Sequence, residues 1–588
     1  MLRLPPGLEI RGEKAAPDVL PRPRGRGLFA KRRFEPGEEI AVFSEPMVVL
    51  PAEPNAKDTC SYCLDPYSES LKLCAACRAA AYCTPACQRK HWGTIHKFEC
   101  KLLKADSASS ATRSANGATS QPLPAALRAL KQLILQCLNS ADVRAAIEPL
   151  EGNVSAFRAK PELWKEFESQ AAMVCKAASW SGDENAAKAV ELLCRIHTSA
   201  ISRRSKGDDF ATGIFLDTTL SMANHSCLPN AIVVFTGRSA FLRAQHPIAA
   251  GEEITISYTE CTEPLSARKQ KLDKYNFECD CRRCRENLDN YQATQISPVL
   301  SLNTGVHPGP MPSPALPRYI SSIGPSIDML RNPPIVRQGP DAVTPQQAED
   351  IYIASRELII PQDVDDDVLL QNVRDLWHLC APLIKAKRWA DEPLPELITV
   401  ATTYCNRIEN YPHQLALACF GIQHIDPYMF PAPFSVWRNM GLMNVAKTIS
   451  LALSVVLFGD DSELAREARG EGGPFADPRR IVHPRVLDVV SSLTDNLLHL
   501  ALMAMVGNNG PLGHSEDWLV IKYAQFQMDK YASLPGSGVA LDLIRTWFEN
   551  PYQVQEAEEF FDENIMEPLN QLSALVPEIL EKMVTEDI

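Results

Sequence analysis

Two periods of apolar and polar residues divide the chain into β-rich and helical stretches. The runs "NAIVVF" (230–235) and "SAFLRA" (239–244) flank the turn "TGRS", and "EITISY" (253–258) follows a turn that contains Pro and Gly. Short apolar runs bounded by turn residues predict β-strands. An earlier segment, "FEPGEEIAVF" (34–43), shares Gly-Glu-Glu-Ile with "IAAGEEITIS" (248–257). We therefore expect one β-structure that is split between residues 22–50 and 212–258.

Helical periodicity fills most of the remaining chain. Residues 124–204 contain Ala/Leu-rich stretches such as "ALRALKQLILQCL", and the pattern is helical again from about residue 346 to the end. One apolar stripe predicts a single helix that ends at "GNNG"; its members are Val486, Val490, Leu493, Leu497 and Leu500. Paired helices of this kind could stack as a TPR-like solenoid, although the sequence shows no repeat strong enough to require one.

Segments of biased composition separate these regions. The stretch "ADSASSATRSANGATSQPLP" (105–124) is rich in Ser and Ala, which indicates a mobile loop. Residues 286–345 hold eleven prolines from Pro298 onward, which indicates a linker or a long surface loop. The predicted segments are 1–50 and 212–260 for a split β-rich core, 58–101 for a cysteine-rich finger, 102–211 for a loop and a helical insert, 261–285 for a second cysteine-rich segment, 286–345 for the linker, and 346–588 for an α-helical C-terminal domain.

Composition narrows the class of protein. Of the 588 residues, 45% are hydrophobic and 22% are charged, which predicts a large core and about two to four domains. The net charge of −13 argues against sequence-specific or broad nucleic-acid binding and suits partners with basic surfaces. The start, "MLRLPPGLEIRGEK", has two prolines where a signal peptide would be apolar, and the longest apolar stretches reach about half of the ~20 residues of a membrane helix. We therefore expect no membrane partner, a place in the cytosol or nucleus, and reduced cysteines.

Seven of the 18 cysteines fall within residues 60–100. Two C-x2-C pairs are followed by C-x3-C and H-x3-C, and pairs at this spacing can present two side chains to one ion. The eight ligands, enough for two tetrahedral Zn²⁺ ions, are Cys60, Cys63, Cys74, Cys77, Cys83, Cys87, His96 and Cys100. So short a segment cannot build a core of its own, so metal binding should fold it. Spacing does not say which pairs share an ion, and His91 competes with His96. Buried free cysteines are the alternative to zinc.

A second cysteine group is one ligand short of a structural zinc site. Cys279, Cys281 and Cys284 stand in "YNFECDCRRC" (275–284). Cys227, in "ANHSCLPN" (223–230), would complete the set, because it follows a polar stretch and precedes a Pro turn rather than lying on a helical apolar stripe. Alternatively, His225 could be the base for a nucleophilic Cys227. No third residue that would orient His225 is identifiable, so we prefer the metal ligand.

The finger resembles a MYND zinc finger at "YC-x3-CQ-x3-W…HK-x2-C". In that family the first and third pairs share one zinc, and the second and fourth share the other. The resemblance therefore implies one site from Cys60, Cys63, Cys83 and Cys87, and another from Cys74, Cys77, His96 and Cys100. It also implies binding of short proline-containing peptides rather than general reading of DNA.

Four motifs stand in the order found in SET-domain lysine methyltransferases. They are "RGRGLFA" (24–30), "NHSCLPN" (224–230), "GEEITISY" (251–258) and "FECDCRRC" (277–284). With the inserted finger, the chain resembles the SET-and-MYND family of protein-lysine methyltransferases, with its fungal members as the expected subgroup. The resemblance implies an α+β fold, in which a split β-rich SET core receives the finger and helices as inserts. A zinc-bound post-SET segment and a helical C-terminal domain follow, and the end of the core threads through a loop as a pseudoknot.

The same resemblance implies S-adenosyl-L-methionine as cofactor, beside three Zn²⁺ ions. It assigns the catalytic role to Tyr258, whose hydroxyl would align the substrate amine near the methyl group. The implied cofactor-binding residues are Arg24, Arg26, Gly27, Ser199, Asn224, His225, Tyr258 and Phe277. Arg24 and Arg26 would contact the methionine end, and Phe277 would cover the adenine. Where the family usually has Asn-x-Phe, this sequence offers Ser199 and Ile201, an exchange that bears on cofactor affinity and methylation state.

The expected function is methylation of lysines in histone or non-histone proteins by a monomer of the nucleus or cytoplasm. A lysine amine, with a pKa near 10.4, must first lose its proton. A neighbouring sulfonium and an apolar channel both favour the neutral amine, so alignment matters more than a strong base. Two other hypotheses remain. One is a catalytically weak or inactive scaffold that binds proline-containing peptides, and the other is a zinc-dependent DNA-binding regulator, which the net charge opposes.

Overall fold

The structure, a computed structural model, describes residues 4–12, 25–51, 59–64, 70–105, 123–205, 208–297, 327–358, 364–432, 435–457, 463–471, 477–508, 519–549 and 553–585. Arg24, residues 106–122 of the Ser/Ala-rich loop and residues 298–326 of the proline-rich segment lie outside these ranges. Small sheets occupy the N-terminal half, and helices build the C-terminal half. The expected α+β fold is confirmed.

Four small sheets form the β-rich part. Their strands are β1 Leu8–Arg11, β2 Gly27–Ala30, β3 Glu39–Phe43, β4 Val48–Leu50, β5 Lys72–Leu73, β6 Ala81–Tyr82, β7 Ile201–Ser205, β8 Asp208–Leu216, β9 Asn224–His225, β10 Ala231–Thr236, β11 Ser239–Ala244 and β12 Glu253–Ile256. The strand orders are β1-β2-β12-β9, β10-β11-β3, β4-β8-β7 and β5-β6. Three of the four sheets therefore pair strands from before residue 51 with strands from after residue 200, as the split core requires.

Both Gly-Glu-Glu-Ile motifs turn the chain into a strand. Gly37 has φ +83° and Gly251 has φ +86°, in the left-handed region that favours glycine. β3 follows the first turn and joins the predicted β10–β11 hairpin, whereas β12 follows the second turn and pairs with β2. The shared motif therefore marks equivalent strand starts in two sheets.

The finger and a helical insert occupy the chain between β4 and β7. The helices of this half and of the segment after β12 are α1 Pro85–His91, α2 97–105, α3 Ala125–Asn139, α4 Ala141–Ile147, α5 Val154–Arg158, α6 Pro161–Ala177, α7 Asp183–Ser199, α8 Leu265–Leu272, α9 Arg282–Arg285 and α10 Asn290–Gln295. A π-helical turn, Trp92–His96, joins α1 to α2. α3, α6 and α7 pack together, and α3 also packs on β4 and β8. One apolar core thus joins the insert to the sheets.

The C-terminal half is helical and has a core of its own. Its helices are α11 Ile327–Arg331, α12 Pro345–Ser355, α13 Asp366–Leu379, α14 Ala381–Lys385, α15 Leu394–Arg407, α16 Tyr411–His424, α17 Asp426–Met429, α18 Val436–Leu457, α19 Glu463–Ala468, α20 Pro484–Ser492, α21 Asn496–Asn508, α22 Leu519–Ala532, α23 Gly538–Glu549, α24 Gln555–Phe561, α25 Glu567–Ala574 and α26 Val576–Thr585. By length and composition α18 could cross a membrane, but it packs against α16, α20 and α21, and half of its apolar stretch is buried. It is the central helix of this core.

The apolar stripe from Val486 to Leu500 belongs to two helices rather than the one expected. α20 and α21 meet at an angle of 74°. The chain is extended at Leu493, and the Thr494 hydroxyl oxygen accepts a hydrogen bond from the backbone N–H of Asn496 at 3.4 Å. This Thr-Asp-Asn sequence starts a new helix, because a side-chain oxygen satisfies an otherwise free N–H group. Apolar periodicity continues across the break because both helices face the same core.

A small aromatic cluster joins the two halves. The rings of Tyr291, from α10, and Tyr428, from α17, have centroids 4.5 Å apart. The Thr294 hydroxyl donates to the carbonyl oxygen of Tyr428 at 2.7 Å. α10 therefore acts as the bridge that fixes the C-terminal helices against the β-rich half.

Candidate active site and metal centres

A parallel strand pair brings two distant motifs together. β9 lies beside β12, with Asn224 opposite Thr255 and His225 opposite Ile256. The chain continues from β12 to Tyr258, whose backbone N–H donates to Nδ1 of His225 at 3.0 Å. The "NHSC" and "GEEITISY" motifs therefore form one local structure.

The Tyr258 hydroxyl points in one fixed direction. It donates to the carbonyl oxygen of Ala223 at 2.7 Å. The Tyr258 ring centroid lies 4.9 Å from that of Tyr275 and 6.2 Å from that of Phe277. Burial, with smaller contributions from Tyr275 and Glu253, raises the pKa of Tyr258 above its ordinary value of 10.0. The phenol therefore stays protonated at neutral pH, and its oxygen keeps lone pairs that can accept an N–H from an amine.

Asn224 is anchored by contacts that require a glycine at position 27. Its side-chain amide donates to the carbonyl oxygen of Arg26 at 3.2 Å and to Oε1 of Glu253 at 2.7 Å. A Cβ atom on Gly27 would lie 2.5 Å from that Glu253 oxygen and 3.0 Å from the Asn224 nitrogen. The structure thus gives Gly27 a packing role against Asn224 and Glu253, and its contact with a cofactor stays a prediction.

Arg26 and Ser199 converge on the loop 149–153. The Arg26 guanidinium donates to the carbonyl oxygen of Pro149, and the Ser199 hydroxyl donates to the carbonyl oxygen of Glu151 at 3.3 Å. Ser199 is buried at the end of α7. Its hydroxyl is therefore engaged within the protein, and its predicted cofactor contact, like that of Arg26, is not tested by these bonds.

Sequence reasoning did not single out this loop or Tyr275. Asn153 has φ +46° and its side-chain amide donates to the carbonyl oxygen of Tyr275 at 3.1 Å. The loop therefore touches residues from three separate motifs. A signal for Tyr275 was present, since it stands two residues before Phe277 in "YNFECDC"; no motif marked the loop.

The ends of α7 and β7 serve two different surfaces. His197 is exposed, and its ring stacks on Phe167 with a centroid distance of 4.7 Å. Burial of its surroundings, followed by Lys274, lowers the pKa of His197 below 6.5. Ile201, four residues later, lines a cavity.

That cavity, with a volume of about 700 Å³, lies between the β-rich half and the C-terminal helices. Ser257 and Thr259, which flank Tyr258 in sequence, line its first wall. Phe430 and Trp437 line the opposite wall, with their rings stacked at a centroid distance of 6.0 Å. The C-terminal helices thus form one wall of a cleft, and the cleft reaches the residues on both sides of Tyr258.

The described residues contain three four-ligand sets that fit zinc. They are Cys60, Cys63, Cys83 and Cys87; Cys74, Cys77, His96 and Cys100; and Cys227, Cys279, Cys281 and Cys284, with the ligand atoms of each set within 4.8 Å of one another. The Sγ atoms of Cys63 and Cys83 lie 3.5 Å apart, as do those of Cys227 and Cys284. Tetrahedral zinc with bonds of about 2.3 Å holds sulfurs about 3.8 Å apart. The predicted ligands and their division among three ions are confirmed.

His91 lies next to the second finger site, which is formed by Cys74, Cys77, His96 and Cys100. It is not a member of any of the three four-ligand sets. Its Nδ1 is 3.0 Å from the Tyr82 hydroxyl, and its ring stacks on His96 at 5.2 Å. Glu99 lies 3.5 Å from Nδ1 of His96, and its other oxygen accepts from Gln132 of α3 at 3.1 Å. His91, His96 and Glu99 are close enough to hold an ion together, but His96 turns its Nε2 to the cysteines. Glu99 therefore orients a zinc ligand and ties the finger to the insert.

Comparison with known proteins decides what the β-rich half is. Residues 25–259 match the family model described as the SET domain. This segment, called the SET domain from here on, is thus similar to that family. The chain is 34% identical over 235 residues to "SET domain and MYND-type zinc finger protein 6" of Schizosaccharomyces pombe, which covers 40% of this chain and 44% of that protein. It is 29% identical to human "Histone-lysine N-methyltransferase SMYD3" over 277 residues, 45% of this chain and 59% of that protein.

A plant protein is similar to a comparable extent. The Arabidopsis thaliana "Histone-lysine N-methyltransferase ASHR1" is 29% identical over 272 residues, 44% of this chain and 53% of that protein. This chain thus spans about half the length of the relatives that it matches. Among solved structures, the "SET domain of LSMT bound to Lysine and AdoHcy" covers 91% of this chain at 9% identity with a TM-score of 0.22, and a likeness that low carries no argument. The SET domain and the SET-and-MYND relatives confirm the resemblance seen in the motifs.

Proposed function

We propose that this chain is an S-adenosyl-L-methionine-dependent protein-lysine N-methyltransferase. The observation that carries the proposal is the position of Tyr258. Its ring packs among Tyr275, Phe277 and His225, while the residues next to it in sequence line the cavity at the C-terminal helices. The fixed hydroxyl therefore belongs to an aromatic surface suited to a cofactor, and the chain on both sides of Tyr258 lines a cleft large enough for a peptide.

The cofactor surface offers groups that suit S-adenosyl-L-methionine. Phe277 keeps 36% of its surface exposed beside His225, and an exposed aromatic face suits a planar base. Asn224 is half-buried and fixed, and Arg26 offers a cation for a carboxylate. When bound there, the cofactor would supply a methyl group on a positively charged sulfur.

The protein's own part is to align the amine and keep it neutral. The Tyr258 hydroxyl donates its hydrogen to Ala223 and presents its oxygen to an incoming N–H. Because the phenol has a raised pKa, it does not act as a base at neutral pH. The rings of Tyr258 and Tyr275 exclude water around the amine, which lowers the amine's pKa and favours the neutral nucleophile. Alignment of this kind can supply a large part of the rate enhancement over the uncatalysed reaction.

The substrate of this proposal is a lysine of a histone or non-histone protein. The cavity takes an extended segment between Ser257 and Thr259 on one wall and Phe430 and Trp437 on the other. The first test is incubation of the full chain with radiolabelled S-adenosyl-L-methionine and a pool of lysine-rich proteins. Label on lysine is the expected result; cofactor binding without any transfer would contradict the proposal.

A scaffold with little or no activity is the second candidate, favoured by one observation. Ser199, where the family usually has an amide side chain, donates its hydroxyl hydrogen to the carbonyl oxygen of Glu151. The finger would then be the functional part, binding proline-containing peptides at exposed apolar side chains such as Trp92 and Leu73. Calorimetry with the cofactor, together with the transfer assay, separates the two candidates. Tight cofactor binding with turnover would contradict the scaffold. Titration of the finger with a proline-rich peptide, with Trp92→Ala as the variant, tests the partner.

A further inference from the structure

The zinc centre formed by Cys227, Cys279, Cys281 and Cys284, called the third zinc centre, places a large negative charge in the interior. A zinc ion with four thiolates carries a formal charge of about −2. Three of its ligands are buried, with Cys227 1% exposed, Cys281 6% and Cys284 8%. Buried charge is unfavourable unless other charges or hydrogen bonds compensate it. The centre therefore needs cations that are equally buried.

Arg268 of α8 is the first such cation. It is 1% exposed, and its Nη2 lies 4.0 Å from the Sγ of Cys284. Its Nη1 donates to the carbonyl oxygen of Glu263, which leaves the charge without a carboxylate partner at that atom. Its Nε is buried and has no hydrogen-bond partner among the described residues. The guanidinium therefore faces a zinc-ligand thiolate at Nη2, while the Glu349 carboxylate interacts with it electrostatically without a direct ion pair among the described residues.

Arg283 is the second buried cation near this zinc centre. It stands between Cys281 and Cys284 in sequence, is 5% exposed, and interacts electrostatically with Cys227. Its Nη2 donates to the side-chain oxygen of the buried Asn290 at 2.6 Å, and its Nε has no partner among the described residues. The amide of Asn290 orients the guanidinium, whose charge interacts electrostatically with Asp391 and Cys261 as well as with Cys227.

The four-cysteine site of the finger is arranged differently. Three of its ligands, Cys63, Cys83 and Cys87, are partly exposed, so water can screen its charge. At the third centre only Cys279 is partly exposed. The two buried arginines therefore accompany the four-thiolate centre that water reaches least.

We infer that Arg268 and Arg283 are positioning residues of the third zinc centre, whose two guanidinium charges balance the charge of the four-thiolate zinc and keep the thiolates bound to the metal. This role is independent of the proposed methyl transfer. It concerns which of three zinc ions leaves the protein first, and a protein without any methyltransferase activity would show it equally.

The test uses the full zinc-loaded chain and compares Arg268→Met and Arg283→Met with Arg268→Lys and Arg283→Lys. Arg282→Met is the matched control, because Arg282 lies on the same turn but is exposed and paired with Glu286 at 3.0 Å. Zinc release is followed with a chromogenic chelator during titration with a thiol reagent, and mass spectrometry identifies the modified cysteines.

Each Met variant should release one of its three zinc ions about tenfold faster or more, with the reagent on the ligands of the third centre, as expected for loss of groups around a metal site. The Lys variants should stay within about threefold of the wild-type chain, because they keep the charge. Both finger zincs report on folding within the same molecule. The inference would be overturned if all three ions were lost equally, or if the Met variants released zinc no faster than Arg282→Met. It would also be overturned if the Lys variants released zinc as fast as the Met variants.

Discussion

Tyr258 combines a fixed hydroxyl with a raised pKa, and together these set how the site should respond to pH. Its hydrogen bond to Ala223 orients the oxygen, and burial raises its pKa above 10.0. Because the pKa is raised, the neutral phenol persists throughout the range in which enzymes are assayed. The titrating partner in the proposed reaction is then the substrate amine.

The first prediction concerns Tyr258 and the substrate amine. Between pH 7 and 9 the methylation rate should rise with pH, because more of the substrate lysine is neutral, and Tyr258 should add no second inflection. Tyr258→Phe should lower kcat about 100-fold, in line with the loss of one oriented polar group, and the loss should be the same at each pH. Steady-state rates across this range measure it. A ratio of variant to wild type that changes tenfold with pH would mean that the phenol itself titrates.

Cys227 links metal and active site at the residue scale. Its Sγ lies 3.2 Å from Nε2 of His225, whose Nδ1 accepts from the backbone of Tyr258. Cys227→Ser should therefore reduce zinc from three ions to two and weaken cofactor binding at least about tenfold. Cys261→Ser, at a nearby cysteine outside the ligand sets, should keep all three ions. Metal analysis and calorimetry check both variants; a Cys227→Ser protein with three zincs would contradict the assignment.

At the scale of elements, Gly27 of β2 leaves room for the side chains of Glu253 and Asn224, which pack against it. A Cβ there would meet Glu253 at 2.5 Å and Asn224 at 3.0 Å. Gly27→Ala should destabilise the SET domain by about 1–3 kcal/mol, as overpacking does, and should displace Asn224. Gly93→Ala is the control, since nothing lies within 4 Å of the added atom. Chemical denaturation gives the stability; unchanged stability and cofactor affinity would refute this account of Gly27.

The finger and α3 are coupled through Glu99. This carboxylate lies between His96 and Gln132, and it is 7% exposed. Glu99→Gln should lower the zinc affinity of the second finger site about 10-fold to 100-fold, while the exposed Glu162→Gln leaves it unchanged. Competition with a chelator of known affinity measures the difference. Equal affinities would show that Glu99 does not orient His96.

At the scale of the whole molecule, Asn290 joins the segment that follows the SET domain to the C-terminal helices. Its side-chain amide donates to the carbonyl oxygens of Thr262 and Ala390, at 3.0 and 2.7 Å, while its oxygen accepts from Arg283. Asn290→Ala leaves these groups unpaired, so docking should weaken by about 1–3 kcal/mol. We expect faster hydrogen exchange at 387–391 and a raised KM for protein substrate, with cofactor affinity less affected. Unchanged exchange would mean that other contacts hold the halves together.

Sequence and structure agree best where chemistry is local. The three zinc sets could be predicted because ligand number and spacing are visible within short segments, and Cys227 followed from an incomplete count. The loop 149–153 could not, since its bonds to Arg26 and Ser199 depend on chain folding and leave no motif. The break near Thr494 was also missed, because apolar periodicity continues through it while the Thr494 hydroxyl starts a second helix.

The sheet order has a consequence for how the chain is made. β2, near residue 30, can pair with β1 at once, but its other edge pairs with β12, near residue 255, so that edge has no partner until more than 200 further residues have been synthesised. β3 and β4 likewise pair with strands that follow residue 200. Such non-local pairing folds slowly and leaves strand edges open to association. The finger, at residues 60–100, is complete much earlier and folds on zinc. Metal supply and chaperone capacity during translation, rather than the stability of the finished protein, should therefore limit the yield of folded chain.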